Sequence, residues 1–179
     1  MSSPNIASRF DEIYDSTSKT ALALITAKCG RTADVGDIFQ DTYVELYQVL
    51  SRRGAAYVTN AKALVMRIAK RKVAKYYSAA KRRGVSVPLT AKNEDGEETG
   101  FSAHAAEAFL TEDFALDRVT LAAARQFLDS KPESTQKVFY LMYDAGLSIP
   151  EIAQALRLSE SNVKNKLYRT LKELRELLS

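Results

Sequence analysis

Cysteine, histidine and tryptophan are nearly missing from this 179-residue chain, which holds one of the first, one of the second and none of the third. The lone Cys29 cannot close an internal disulfide; that fits a reducing cytoplasm and marks the thiol as a small buried apolar group. His104, the only imidazole, sits in SAHAAEAF and reads as an incidental surface residue rather than a ligand or base. No metal-spaced Cys/His cluster, glycine-rich phosphate loop or nucleophile elbow occurs. Catalysis, a cofactor and a metal are therefore not expected. No stretch approaches the roughly 18 consecutive apolar residues of a membrane span. The opening MSSPNIASRFDEIYD lacks the apolar core of a signal peptide, so a cytoplasmic protein without membrane insertion is expected. Only seven glycines punctuate the chain, and Val and Ile are scattered rather than alternating. Strands are not expected, and the fold class is all-α.

What is present is a foldable core and an uneven charge. Hydrophobic residues make up 46% of the chain, enough for a folded protein. Residues 1–87 carry 15 Lys/Arg against 7 Asp/Glu, residues 88–118 carry 2 against 8, and residues 119–179 carry 9 against 7. The first segment thus has a charge of +8 and faces an anionic partner, while the −6 segment is an acidic strand between two folded parts. Helical patterning runs over 5–28, 34–52, 58–82, 105–129, 133–145, 149–157 and 160–178. Between them VSVPLTAKNEDGEETGFS, with Pro88, Gly96 and Gly100, is too polar to pack and reads as a flexible linker.

The carboxy-terminal segment GLSIPEIAQALRLSESNVKNKLYRTLKELRELL contains two helices in close succession. Pro150 falls in a first turn, where it is tolerated. Ile149, Ile152, Ala153 and Leu156 form one apolar face; Val163, Leu167, Leu171, Leu174 and Leu178 form the other. Ser159 fits an N-cap, with Asn162 in place of the usual Glu or Gln of a capping box. Opposite the second stripe lie Ser161, Asn162, Asn165, Arg169 and Lys172, flanked by Lys164 and Lys166, and no acid interrupts them. Amides and Arg reach base edges while Lys suits phosphates, so the pair reads as a helix-turn-helix. A plain helical hairpin with a solvated charged face is the blander alternative. Helix-turn-helix turns usually carry Gly where this chain has Arg157. A left-handed backbone there costs about 1 kcal/mol, so a slightly reshaped turn is expected.

Between Lys62 and Arg83, KALVMRIAKRKVAKYYSAAKRR holds nine Lys/Arg and no acid. Val65, Met66, Ala69, Val73, Tyr76 and Ala80 fall on the core side. Arg67, Lys70, Arg71, Lys75, Lys81 and Arg82 form a ridge suited to a phosphate backbone. On the residues alone, a membrane surface or an acidic protein remains an alternative partner. Upstream, DVGDIFQDTYVELYQVL has a buried band of Ile38, Phe39, Tyr43, Leu46, Tyr47 and Leu50. Its outer face carries Asp37, Gln40, Asp41 and Glu45, whose acids repel at i, i+4 by a few tenths of a kcal/mol per pair. A basic partner would relieve that repulsion; a solvated acidic face is the alternative.

Taken in order, FDEIYDSTSKTALALITAK, DIFQDTYVELYQVL, ALVMRIAKRKVAKYYSAAKRR and KPESTQKVFYLMYDAGLSIPEIAQALRLSESNVKNKLYRTLKELREL resemble a bacterial RNA polymerase sigma factor of the extracytoplasmic-function group. The resemblance spans nearly the whole chain, and its specific signal is DxxQDTYxxLY ahead of the basic helix. The chain departs from the family at Leu64, where Trp is common, and at Arg71 and Lys75, where Asn and Asp are frequent. These departures bear on promoter preference.

The resemblance implies two small helical domains: a region 2 domain over 1–84, a linker over 85–104, and a winged-helix-like, helix-turn-helix region 4 domain over 105–179. It implies core RNA polymerase and promoter DNA as partners, with an anti-sigma factor a further candidate. Asp37, Gln40, Asp41 and Glu45 would dock on the polymerase. Arg67, Lys70, Arg71, Lys75 and Arg82 would hold phosphates at the minus-ten element, with Tyr77 stacking on bases and Tyr76 in the core. Ser161, Asn162, Asn165 and Arg169 would read the minus-thirty-five element, with Lys164, Lys166 and Lys172 on its backbone. The acidic linker would thread the RNA exit path. A stand-alone helix-turn-helix regulator of duplex DNA is the alternative function.

Overall fold

The computed structural model describes the backbone of residues 5–82 and 118–178, and the side chains of 5–79 and 122–178. The expected linker, His104 and the first half of the helix expected over 105–129 lie outside the described residues. Every regular element within them is helical. The chain divides into two compact units, Met1–Ala91 and Lys92–Ser179.

The first unit is a three-helix bundle of α1 (Ile6–Lys28), α2 (Val35–Arg53) and α3 (Ala61–Arg82), joined by single 3-10 turns at Thr32–Asp34 and Ala55–Tyr57. Local chemistry sets the ends. The Asn5 side chain accepts from the Ala7 amide at 3.2 Å, and the Asn60 side chain from the Ala63 amide at 2.9 Å, each supplying an orphan donor of a first turn. α2 stops at Gly54, whose φ of 84° suits a residue without Cβ. Ile13, Ala21, Tyr43, Leu46, Leu50, Val58, Val65 and Ile68 form the core. Cys29 is buried there as expected.

Three tyrosines differ from the pattern read in the sequence. Tyr47, expected in the buried band of α2, is 49% exposed, its ring meeting Phe10 edge-on at 5.7 Å on the α1–α2 rim. In α3 the tyrosines exchange places. Tyr77, expected to stack on bases, is 5% exposed, and its hydroxyl accepts from the Gly30 amide at 2.6 Å. Burial pushes its phenol well above the ordinary range. A ring held this way is not open to a base, so Tyr77 is a core residue. Tyr76, expected in the core, is half-buried and donates to the Asp34 carboxylate at 2.8 Å. That bond holds the Tyr76 phenol proton and raises its pKa. The cause of the exchange is positional. At this end of the bundle α3 packs on the turn that closes α1, and that turn lies under Tyr77.

The second unit contains α4 (Arg118–Asp129), α5 (Glu133–Phe139), a π turn at Tyr140–Asp144, α6 (Ile149–Leu156) and α7 (Glu160–Leu178). The helix expected over 133–145 is therefore α-helical only to Phe139 and then widens. The Ala145 amide reaches back to the Tyr140 carbonyl at 3.2 Å, and Gly146, at φ 63°, turns the chain. Ser148 and Glu151 form a capping box at the start of α6, with the Ser148 amide donating to the Glu151 carboxylate at 2.8 Å. Val138, Leu141, Ile152, Val163 and Leu167 are essentially unexposed and make the core. At the α4–α5 turn, Lys131 pairs with Glu173 of α7 at 2.5 Å.

The turn between α6 and α7 is left-handed at Arg157, with φ 57° and ψ 41°. The expected reshaping does not occur: the backbone takes the conformation a glycine would take. The Arg157 and Leu158 amides both close on the Ala153 carbonyl, so two donors hold the strained residue in place. Since Arg157 is exposed, replacing it costs little packing. Arg157→Gly should raise stability by about 0.5–1 kcal/mol, read as a higher urea midpoint at unchanged m-value. A lower midpoint would show that the side chain holds the turn.

Candidate nucleic-acid interface

α7 begins with Ser159 accepting from the Asn162 amide at 3.2 Å, which is the cap read from the sequence. Behind it, Ile152 and Ala153 of α6 and Val163 and Leu167 of α7 are buried. Burying that stripe turns the opposite face of α7 outward. Ser161, Arg169 and Lys172 are exposed there, and Asn162, Lys164, Asn165 and Lys166 are half-buried. These residues lie on adjoining turns, and the acid in the first turn, Glu160, stands at its edge. Two of the lysines are engaged. Lys166 donates to the Ser134 hydroxyl on α5 at 3.1 Å, so its head is drawn toward α5 and away from the position of a backbone clamp. Lys172 lies 4.0 Å from Glu176, an exposed i, i+4 pair that solvent screens. Ser161, Asn162, Asn165 and Arg169, expected at base edges, lie along this outward face.

On the first unit, Arg67, Lys70, Arg71 and Lys75 are exposed along α3, as the ridge requires. The side chain of Arg82 lies outside the described residues. Lys72, absent from the residues singled out in the sequence, is half-buried and turned toward α2. Its ammonium lies 3.3 Å from Glu45 and 3.7 Å from Asp41, and Arg71 also pairs with Glu45. The acidic face of α2 therefore finds basic partners inside the chain. Asp37, Gln40 and Asp41 are exposed, while Glu45 is half-buried beneath the two cations. Sequence periodicity on single helices misses this seam because both partners sit on the polar flanks of their own helices. The signal available was the match between acids one turn apart on α2 and adjacent cations on α3. Asp37, Gln40, Asp41, Lys72, Lys75 and Tyr76 line an open groove between the two helices.

Among the described residues no group of His, Cys, Asp and Glu is placed to hold a metal ion, and no helix is long and apolar enough to cross a membrane. What the surfaces offer is charge and hydrogen-bonding groups on rigid helices, the means of binding a polyanion.

No curated protein matches the chain. Residues 122–174 match the family described as Sigma-70, region 4. That span takes in most of α4, all of α5 and α6, and α7 as far as Leu174. Over this span the helix-turn-helix of the second unit is thus similar to region 4 of the sigma-70 family.

Proposed function

We propose that the chain is an RNA polymerase sigma factor of the extracytoplasmic-function group, a non-catalytic cytoplasmic subunit that gives core polymerase its promoter specificity. The region 4 match over residues 122–174 carries this reading. It is supported by the acidic and basic helices of the first unit, which stand in the order the resemblance requires. α7 enters the major groove of the minus-thirty-five element, with Asn165 and Arg169 at base edges and Lys164 and Lys172 on phosphates. α3 lies along the minus-ten element, where Arg67, Lys70 and Lys75 hold the backbone. α2 presents Asp37, Gln40 and Asp41 to the polymerase. An anti-sigma factor would act by covering one of these faces.

Run-off transcription with core polymerase tests the function directly. Adding the protein should yield a discrete transcript from its cognate promoter, and core alone should yield none. Nanomolar, sequence-specific duplex binding by the free protein, with no effect on core, would mark a stand-alone regulator instead.

The two DNA-facing helices should fail differently. Asn165→Ala and Arg169→Ala should each cost roughly 1–3 kcal/mol at a contacted base and change which upstream sequences are used. Arg67→Ala with Lys70→Ala should lower open-complex formation at all promoters and flatten its salt dependence by about one unit per lost phosphate contact. Permanganate footprints across a promoter panel separate these outcomes; equal loss at every promoter from both sets would remove the division of labour. Asp37→Lys with Asp41→Lys should weaken binding to core while leaving the helical circular dichroism unchanged, since both carboxylates are exposed. Affinity for core within error of the original chain would move the docking face elsewhere.

A further inference from the structure

The ion-pair seam between α2 and α3 places a competitor for nucleic acid inside the first unit. Asp41 and Glu45 stand one turn apart on α2, and Arg71 and Lys72 are neighbours on α3. Lys72 spans both acids, at 3.7 and 3.3 Å, and Arg71 adds a second contact to Glu45. The side chain of Lys72 is only 21% exposed, so its ammonium is directed at α2 and not outward with the ridge. Glu45 is equally recessed at 23%, under two cations. Arg71 is 62% exposed and Asp41 69%, so the outer half of the seam is open to solvent and can be exchanged for another partner.

We propose that in the free chain Asp41 and Glu45 hold Arg71 and Lys72 back from nucleic acid, and that a basic partner seated on the α2 face releases these two cations to phosphate. The inference rests on α3 being a nucleic-acid ridge. The four charges form a two-state element. Either the acids of α2 neutralise the cations, or an external cation takes the acids and a phosphate takes Arg71 and Lys72. Each arrangement satisfies every charge, so exchange leaves no charge unpaired. Surface pairs of this kind are weak and screened, which suits a switch that a partner must overcome.

The test is binding of a labelled single-stranded oligonucleotide to the free full-length chain, titrated between about 50 and 200 mM salt. Glu45→Gln should tighten binding roughly two- to fivefold, the range spanned by one exposed ion pair. It should also steepen the salt dependence by roughly 0.7 per cation released. Asp41→Asn, at the more exposed acid, should give a smaller gain in the same direction. Two comparisons separate release from a mere change in net charge. Asp15→Asn, which removes an exposed acid from α1, should leave affinity near that of the original chain. In an Arg71→Ala, Lys72→Ala background, Glu45→Gln should give no gain. A gain from Glu45→Gln that persists in that background, or one matched by Asp15→Asn, would overturn the proposal. Failure of the original chain and every variant to bind the oligonucleotide would instead overturn the reading of α3 itself. Thermal melts followed by circular dichroism confirm that each variant is folded.

Discussion

The packing of α3 across α2 is the constraint on which the first unit's surface chemistry depends. Leu46 and Leu50 from one helix and Val65 from the other are wholly removed from solvent. Each such residue is worth on the order of 2–3 kcal/mol of burial, and truncating one to Ala costs about 2–5 kcal/mol. With those residues fixed, the helices' polar flanks must lie edge to edge. The acids of α2 then meet the cations of α3 whether or not any partner is present. This also explains how α3 tolerates Arg71, Lys72 and Lys75 within two turns. Like charges at that spacing destabilise an isolated helix, and the neighbouring helix supplies the counter-charge.

The second unit solves a different problem, which is to hold one helix face rigidly outward. Ala153 is a small residue buried in the core, Ser148 and Ser159 cap the two helices, and the left-handed Arg157 turns the chain between them. The strain at Arg157 is local and exposed, while the two amides closing on Ala153 are what determine the turn. A recognition face on α7 is useful only if its orientation does not drift, and each of these features restricts it. The engagement of Lys166 with Ser134 adds a tie between α7 and α5 on the flank of that face.

The helices were largely legible because burial imposes a 3.6-residue period that the sequence must carry. α7 falls where the pattern places it, and α1 and α2 differ from it by a residue at their ends. The misplaced features lie where neighbours from elsewhere in the chain decide. Tyr76 and Tyr77 both flank the apolar stripe of α3, and which one is buried depends on the turn after α1, a partner 47 residues away in the case of Tyr77 and Gly30. The π turn at Tyr140–Asp144 has the same apolar content as an α-helix and leaves no periodic trace. Lys72 carries no mark in the sequence, because a cation between ridge and core looks like any flank residue until Asp41 and Glu45 are set beside it. At Arg157 the residue type argued against a left-handed turn, and tertiary packing prevailed over propensity. The candidate site was thus legible as faces, and illegible where two faces meet.

Under the proposed function, the exposed groups of the first unit divide between two partners, with α2 facing protein and α3 facing nucleic acid. Photo-crosslinking from single positions in the complete polymerase–promoter assembly tests that division most directly. A crosslinker at Gln40 should capture a polymerase subunit, and one at Lys70 should capture promoter DNA near the minus-ten element. Capture of DNA from both positions, or of polymerase from Lys70 alone, would contradict it.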